Sequence, residues 1–231
     1  MPNFPIRVGF CAPSRAVIDI STPALAKLYF TDRGAQVVMH ETVFRNVKQF
    51  AGTEDERVKG LMDLAANPEI DLILPIRGGY GLSRILQRID FNAIAERNPV
   101  FCGYSDFTAF SLAYLTKTGK VTYQGPNGSD FADEVEFLTE QSFHNALFKD
   151  EWVSSFPCKE APDLDIEGTL WGGNLSMIVS LLGTPYFPDI EGGILFLEDC
   201  NDRAYRIDRH LMQLDMAGVF RKQKTILFGD F

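Results

Sequence analysis

The 231-residue sequence lacks long hydrophobic runs and has no excess of basic residues. No stretch approaches the ~18 consecutive apolar residues that span a bilayer, so we expect no membrane insertion. Acidic residues outnumber basic ones by 31 to 22, which gives a formal net charge of −9. Because a nucleic-acid backbone is bound by a basic face, this balance argues against a nucleic-acid partner.

Cysteine and histidine are also scarce. The three histidines and four cysteines are scattered, and no C-x-x-C pair occurs, so we expect no metal or other cofactor. The N-terminus lacks a charged start followed by an apolar block, and therefore shows no signal peptide. The cysteines are then expected to be reduced thiols in the cytoplasm.

What the sequence does contain is a regular alternation of strands and helices. Short apolar runs predict buried strands at 6–12, 35–39, 71–76 and 100–102. Between and after them, helical spacing predicts helices at 24–30, 54–66, 82–89 and 108–115, the second introduced by a capping box at 53–56. This order predicts an α/β fold whose parallel sheet is covered on both faces, with sites at the carboxyl ends of the strands.

The remaining chain is organised differently. Residues 131–166 are acidic and less regular, with a helix expected at 140–148. Helices at 175–182 and 204–216 and strands at 193–198 and 224–228 follow. We therefore predict an N-terminal domain over 1–130, a linker over 131–166, and a smaller C-terminal domain over 167–231. A strand so near the last residue leaves no sequence for its partners, so we expect the second domain to be incomplete.

Ser105 occupies the most informative position. The strand at 100–102 turns at Gly103 and leads into a helix, a geometry that projects a side chain from the sheet edge. Ser105 is thus either a nucleophile, with the Asp106 N–H as an oxyanion donor, or an ordinary turn or helix-capping residue. The G-x-S-x-G elbow is not matched, because Phe107 replaces the last glycine.

A glycine-rich segment, Arg77-Gly-Gly-Tyr-Gly81, also lies between a strand and a predicted helix. It could hold a phosphate, supply an N–H to an oxyanion hole beside Asp106, or form a tight turn without a ligand. It has neither the lysine of a P-loop nor the spacing of a dinucleotide fingerprint.

Glu198 and Asp199 end an apolar strand, where a carboxylate could orient a catalytic histidine or simply face solvent. None of His40, His144 and His210 falls in a pattern that would place it between Ser105 and Glu198. The residues alone therefore favour structural roles for all three histidines.

Several motifs stand in the order of one family. They are Val8-Gly-Phe-Cys-Ala-Pro-Ser14, Arg77-Gly-Gly-Tyr-Gly81, Gly103-Tyr-Ser-Asp106, Gly125-Pro126, Gly172-Gly-Asn-Leu175, Leu182-Gly-Thr-Pro185, Leu195-Phe-Leu-Glu-Asp199 and Tyr205-Arg-Ile-Asp-Arg209. Together they closely resemble the serine LD-carboxypeptidases, the muramoyl-tetrapeptide carboxypeptidases of bacterial cell-wall recycling.

The resemblance implies an N-terminal domain of the class I glutamine amidotransferase-like kind, a mostly β C-terminal domain, and an active site between them. It implies Ser105 as nucleophile, Glu198 as triad carboxylate, and the N–H groups of Gly79 and Asp106 as the oxyanion hole. The implied substrate is murein tetrapeptide in the cytoplasm, from which terminal D-alanine is released without a metal. The resemblance also implies a homodimer.

Five residues are expected to bind substrate. A terminal carboxylate calls for a guanidinium, for which Arg77 and Arg206 are the candidates. The family motifs add Gly78 and Asn174, and Trp171 would suit a loop that stacks on a nucleotide.

The resemblance further implies a triad histidine well beyond Glu198, past Phe231. We therefore expect this chain to lack its last portion and to show little or no turnover. Two alternatives are a non-catalytic binding or regulatory remnant of the fold, and a peptidase that confers self-immunity against an antibiotic peptide-nucleotide.

Overall fold

The computed structural model describes residues 4–158 and 163–231 of the chain, which form two parallel sheets and their covering helices. The strands are β1 (Arg7–Cys11), β2 (Gln36–Met39), β3 (Leu72–Pro75), β4 (Val100–Phe101), β5 (Leu170–Asn174), β6 (Ile194–Glu198) and β7 (Thr225–Phe228). The α-helices are α1 (Thr22–Thr31), α2 (Glu54–Ala66), α3 (Phe91–Arg97), α4 (Thr108–Thr118), α5 (Phe137–Phe148), α6 (Leu175–Ser180) and α7 (Ala204–Met216).

The first sheet has the strand order β2-β1-β3-β4, and every pairing in it is parallel. The central strands β1 and β3 are apolar and buried, as expected for a sheet covered on both faces. Since all four strands run the same way, the segments that follow β1, β3 and β4 emerge at one edge. The predicted α/β class is confirmed.

The second sheet has the order β5-β6-β7 and is also parallel. Helix α6 follows β5 directly, and α7 connects β6 to β7. The described part of this region is therefore less β-rich than expected, because its two α-helices hold more residues than its three strands. Parallel strands need such crossover helices, which explains the departure.

Local sequence signals succeeded at α2 and failed just after β3. At α2 the capping box forms as predicted: the Thr53 side chain accepts from the Glu56 N–H, and the Glu56 side chain accepts from the Thr53 N–H. The prediction of a helix over 82–89 is wrong. Only a single 3₁₀ turn forms, at Leu86–Arg88, and the neighbouring helix α3 was not predicted. The Leu82 N–H donates to the Asp106 carboxylate, which fixes the start of this segment to another loop.

One hydrophobic cluster crosses from the first sheet to the second. It contains Phe110 of α4, Leu175 and Ile178 of α6, and Leu195 of β6, all buried. A second cluster, which includes Phe10 and Phe30, fills the space between the first sheet, α1 and α5. The two sheets are thus joined through α4 and α6 by a continuous core.

Among the residues the structure describes, no helix has the length and apolar character that crossing a bilayer requires.

Candidate active site

A cleft of ≈ 230 Å³ opens where the carboxyl ends of the strands of both sheets meet. Of the nine residues predicted for the site, it is lined by Gly79, Ser105, Asp106, Asn174 and Arg206. The other lining residues come from α6 and from the loop after β6. Segments remote in sequence are therefore brought together, whereas Arg77, Gly78, Trp171 and Glu198 do not line this cleft.

Ser105 sits between β4 and α4 in a left-handed backbone conformation, with φ of 62°. This conformation costs a residue with a side chain ~1–2 kcal/mol and is retained where the surrounding structure imposes it. The Tyr104 N–H is held by the Asn127 side chain at 3.3 Å. Helix α4 has Phe107 at its N-cap and no capping side chain, so the Ser105 hydroxyl is not used as a cap.

The glycine-rich loop after β3 passes directly against this serine. An ideal Cβ built on Gly78 would lie 2.9 Å from both Cβ and Oγ of Ser105, and 3.4 Å from the Asp106 nitrogen. Gly79 has φ of +112°, and a Cβ there would lie 2.7 Å from Cδ of Arg15. Both positions therefore require glycine, and the loop backbone lies beside the Asp106 N–H.

The Asp106 side chain joins three loops below the cleft. It is buried, and its Oδ2 accepts from Ser14 Oγ at 2.6 Å and from the Leu82 N–H at 2.9 Å. Its other oxygen, Oδ1, has no partner among the described residues. Burial raises the pKa of this carboxyl, and the hydrogen bonds from Ser14 and Leu82 oppose that rise. Asp106 thus fixes the loops after β1 and β3 to the turn that carries Ser105.

Arg57 strengthens the same junction and was not predicted. Its buried guanidinium donates from Nη1 to the carbonyl of Pro13 at 2.6 Å and to that of Gly81 at 2.9 Å. It also lies over the Phe50 ring, 4.8 Å from the centroid, and burial lowers its pKa. One signal could have revealed it: Arg57 shares the apolar face of α2 with Leu61, four residues further on.

Asn174 and Glu198 of the second sheet are paired in the β5–β6 register, and of the two Asn174 lines the cleft. The Asn174 N–H donates to Oγ1 of Thr108 at 3.1 Å, which ties β5 to the start of α4. Oε1 of Glu198 is buried and has no partner among the described residues. Burial, followed by the charge of Asp199, raises the pKa of Glu198, while a hydrogen bond with the Asn174 side chain lowers it.

Three of the predicted substrate-binding residues, Arg206, Arg77 and Trp171, are bonded to other parts of the chain. Arg206 lines the cleft, but its Nε is 3.0 Å from Asp202. Arg77 is half-buried and donates to the Ala16 carbonyl at 3.2 Å. Trp171 is buried in the core, where its Nε1–H donates to Gln223, so it does not line the cleft. Its ring packs edge-to-face against Phe187, so it is not available to stack on a ligand in this cleft.

None of the histidines is hydrogen-bonded to Ser105 within the described ranges 4–158 and 163–231. His40 accepts from the Thr42 N–H, and His144 packs against Phe4. His210 lies near Asp199 and Asp202 with its Nδ1 buried. The expectation that these side chains are structural agrees with the positions of His40 and His144.

The geometry defines an α/β protein with a cleft at the carboxyl ends of its parallel strands. Comparison with known families then identifies it: the LD-carboxypeptidase N-terminal domain matches residues 8–125, and the LD-carboxypeptidase C-terminal domain matches residues 167–231. The chain belongs to the LD-carboxypeptidase family, which confirms the resemblance drawn from its motifs.

Individual relatives agree with this assignment. A protein of Bacillus subtilis (strain 168) named "Probable murein peptide carboxypeptidase" is 36% identical over 229 residues, covering 97% of this chain and 72% of that protein. The muramoyltetrapeptide carboxypeptidase of Oxalobacter formigenes superposes with a TM-score of 0.90 at 37% identity, covering 97% of this chain and 77% of that one. The microcin C7 self-immunity protein MccF shares the fold, with a TM-score of 0.87 at 24% identity over the same shares of the two chains.

Proposed function

We propose that this chain carries the active site of a serine-type LD-carboxypeptidase that releases terminal D-alanine from murein tetrapeptide. The observation that carries the proposal is the left-handed Ser105, whose side chain lies against Gly78 in a cleft shared by both sheets. Cytoplasmic recycling of cell-wall peptides and assembly as a homodimer are parts of the proposal that rest on the family resemblance alone.

In the proposed reaction, Ser105 Oγ attacks the scissile carbonyl carbon and gives its proton to a histidine. The negative charge that develops on the carbonyl oxygen is stabilised by the N–H groups of Gly79 and Asp106. The bond to the D-alanine nitrogen then breaks as the histidine protonates the leaving amine, and water hydrolyses the acyl-enzyme. Glu198 orients the histidine and stabilises its charged form.

The histidine of this scheme is the one that the family resemblance implies after Glu198. Within the described residues, Ser105 has no histidine partner and Glu198 Oε1 has no partner of any kind.

Two observations make the self-immunity peptidase the weaker alternative. Trp171, the residue suited to stacking on a nucleotide, is buried in the core and is bonded to Gln223. The likeness to MccF at 24% identity reports the fold, whereas the murein peptide carboxypeptidase relatives are 36% and 37% identical.

A fluorophosphonate probe and a D-alanine release assay test the proposal together. We expect the probe to label Ser105, with labelling abolished in Ser105→Ala and unchanged in Ser142→Ala, whose hydroxyl contacts only Ser154 at the surface. D-alanine release, however slow, should disappear in Ser105→Ala. Labelling of another residue, or release that survives Ser105→Ala, contradicts the proposal. Tetrapeptide binding without any labelling supports the non-catalytic remnant instead.

A further inference from the structure

Two arginines beside the glycine-rich loop carry charges that no carboxylate neutralises. Within the described residues, neither Arg15 nor Arg77 forms an ion pair. This is unusual in a chain whose net charge is −9 and whose cleft-lining arginine, Arg206, is paired with Asp202. Unpaired guanidinium groups at a cleft are the natural partners of an anionic ligand.

Arg15 is held against the oxyanion loop by its own stem. The Cβ position of Gly79 lies 2.7 Å from Cδ and 2.9 Å from Cγ of Arg15, so the aliphatic part of the side chain runs across the glycine. The Arg15 backbone is fixed from the other side by an antiparallel bridge to Phe50. Despite being exposed, Arg15 therefore has a defined position next to the cleft.

The Arg77 side chain is bonded to the backbone next to Arg15. Its Nη1 donates to the carbonyl of Ala16, the residue after Arg15, at 3.2 Å. Burial lowers the pKa of Arg77, and the nearby positive charge of Arg15 lowers it further. Each guanidinium has five N–H donors. Among the described residues, the bond from Arg77 to the Ala16 carbonyl is the one side-chain hydrogen bond that either arginine makes.

We propose that Arg15 and Arg77 together form the subsite that binds the terminal carboxylate of the substrate. The inference rests on the proposed function, because that function supplies a ligand with a free carboxylate. Gly78 lies against Ser105 and the adjacent Gly79 lies against the aliphatic stem of Arg15, so one step along the loop leads from the nucleophile to the side chain that carries this guanidinium. The substrate has a matching step: its carboxylate lies one residue, at most ~3.6 Å of chain, beyond the scissile carbonyl.

An anion between the two arginines would also remove their mutual repulsion. The pair thus gains twice from a carboxylate, through direct hydrogen bonds and through relief of like charge. Arg206 gains less, because a ligand would first have to displace Asp202. The structure assigns terminal-carboxylate binding to Arg77 with Arg15, and not to Arg206.

Equilibrium binding in a Ser105→Ala background tests this without turnover. The two ligands are murein tetrapeptide ending in D-alanine and the same peptide ending in D-alaninamide, titrated calorimetrically. We expect the acid to bind about 10- to 100-fold more tightly than the amide. Arg15→Gln and Arg77→Gln should each abolish most of that preference while changing amide affinity by less than about threefold. Arg15→Lys and Arg77→Lys should restore part of it.

Arg88→Gln is the matched control, because Arg88 pairs with Glu54 and Asp55 away from the cleft and should keep the full preference. Thermal unfolding of each variant confirms that it is folded. The inference is overturned if the preference survives both glutamine variants, if Arg206→Gln removes it instead, or if the parent binds acid and amide equally well. In those cases D-alanine release and Ser105 labelling still stand. A parent that binds neither ligand contradicts the proposed function as well.

Discussion

The two sheets differ in how far the polar side chains that they bring towards the cleft are hydrogen-bonded. On the side of the first sheet, Asp106 and Arg57 are hydrogen-bonded to the loops after β1 and β3, although Asp106 Oδ1 has no partner among the described residues. On the side of the second sheet, Glu198 Oε1 is buried without a described partner, and β7 exposes Leu227 and Phe228. The first side is held together by hydrogen bonds between loops, and the second presents a carboxylate oxygen that no described donor contacts.

The difference separates two tasks that a hydrolytic serine site must perform. Holding a nucleophile and oxyanion donors in place requires rigidity, which buried hydrogen bonds between loops provide. Activating the nucleophile requires a group that accepts a proton, and a carboxylate such as Glu198, with one buried oxygen free of described partners, is suited to orient such a group. If this division is correct, substitutions on the two sides should affect different measurements.

The largest effect is expected from Gly78→Ala. The added methyl group would lie 2.9 Å from Ser105 Oγ and must displace either the loop or the serine. Because misplacing a reacting group by ~1 Å can cost about 100-fold in rate, we expect a loss of that size in fluorophosphonate labelling.

Gly183→Ala is the control for this change. Gly183 also has a positive φ, but a Cβ there has no atom within 4 Å among the described residues. It should cost ~1 kcal/mol of stability from backbone strain and leave labelling unchanged. Equal labelling rates in the two variants would show that the loop does not constrain Ser105.

The next largest effect is expected from Asp106→Ala. Removing the carboxylate leaves the Ser14 hydroxyl and the Leu82 N–H without their acceptor in the interior. We expect the free energy of unfolding, measured with urea, to fall by about 3 kcal/mol. Asp133→Ala, at an exposed position, should change it by less than ~0.5 kcal/mol. Similar losses in both variants would refute the clamping role of Asp106.

A smaller effect, an increase instead of a decrease in the free energy of unfolding, is expected from Glu198→Gln. Burial raises the pKa of Glu198 in the folded protein, so the folded state holds the proton more tightly than the unfolded chain does. The wild type therefore loses stability as the pH rises from the unfolded pKa, about 4.3, through the raised folded value.

Glutamine does not titrate, so Glu198→Gln should gain stability relative to the wild type across that interval and keep the gain at higher pH. Urea unfolding at a series of pH values measures the difference. The gain should come with loss of catalysis, since the orienting charge is gone. A difference that does not vary with pH would mean that the carboxylate is not desolvated.

The smallest effect is expected from Thr53→Ala, which removes the cap of the helix that carries Arg57. The free energy of unfolding should fall by about 1 kcal/mol, while Ser105 labelling stays as it was. A loss of labelling as large as that of Gly78→Ala would show that the junction below the cleft depends on the end of α2.

The parts of this structure that the sequence predicted are those governed by local rules. The capping box at Thr53, the strand-to-helix turn at Ser105 and the apolar stripe of α7 all depend on near neighbours in the chain. The helix predicted at 82–89 is a single 3₁₀ turn, in a segment whose first residue, Leu82, bonds to a side chain from another loop.

The residues that were missed share this non-local origin. Ser14, Arg15 and Arg57 acquire their roles from contacts with residues far along the chain, and periodicity carries no information about such contacts. Of these three residues, Arg57 alone could have been detected from the sequence, as a charged residue on the apolar face of a helix. Family motifs supplied the grouping of Ser105 with Asn174 and Glu198, which spacing could not have done.

The core that runs from Phe110 through Leu175 to Leu195 has a consequence for how the molecule assembles. Neither sheet can bury its share of this cluster until the other has docked, so folding of the two regions is coupled and should appear as a single cooperative transition. The cleft is then among the last features to form, and the rate at which Ser105 becomes reactive after dilution from denaturant reports completion of the entire fold.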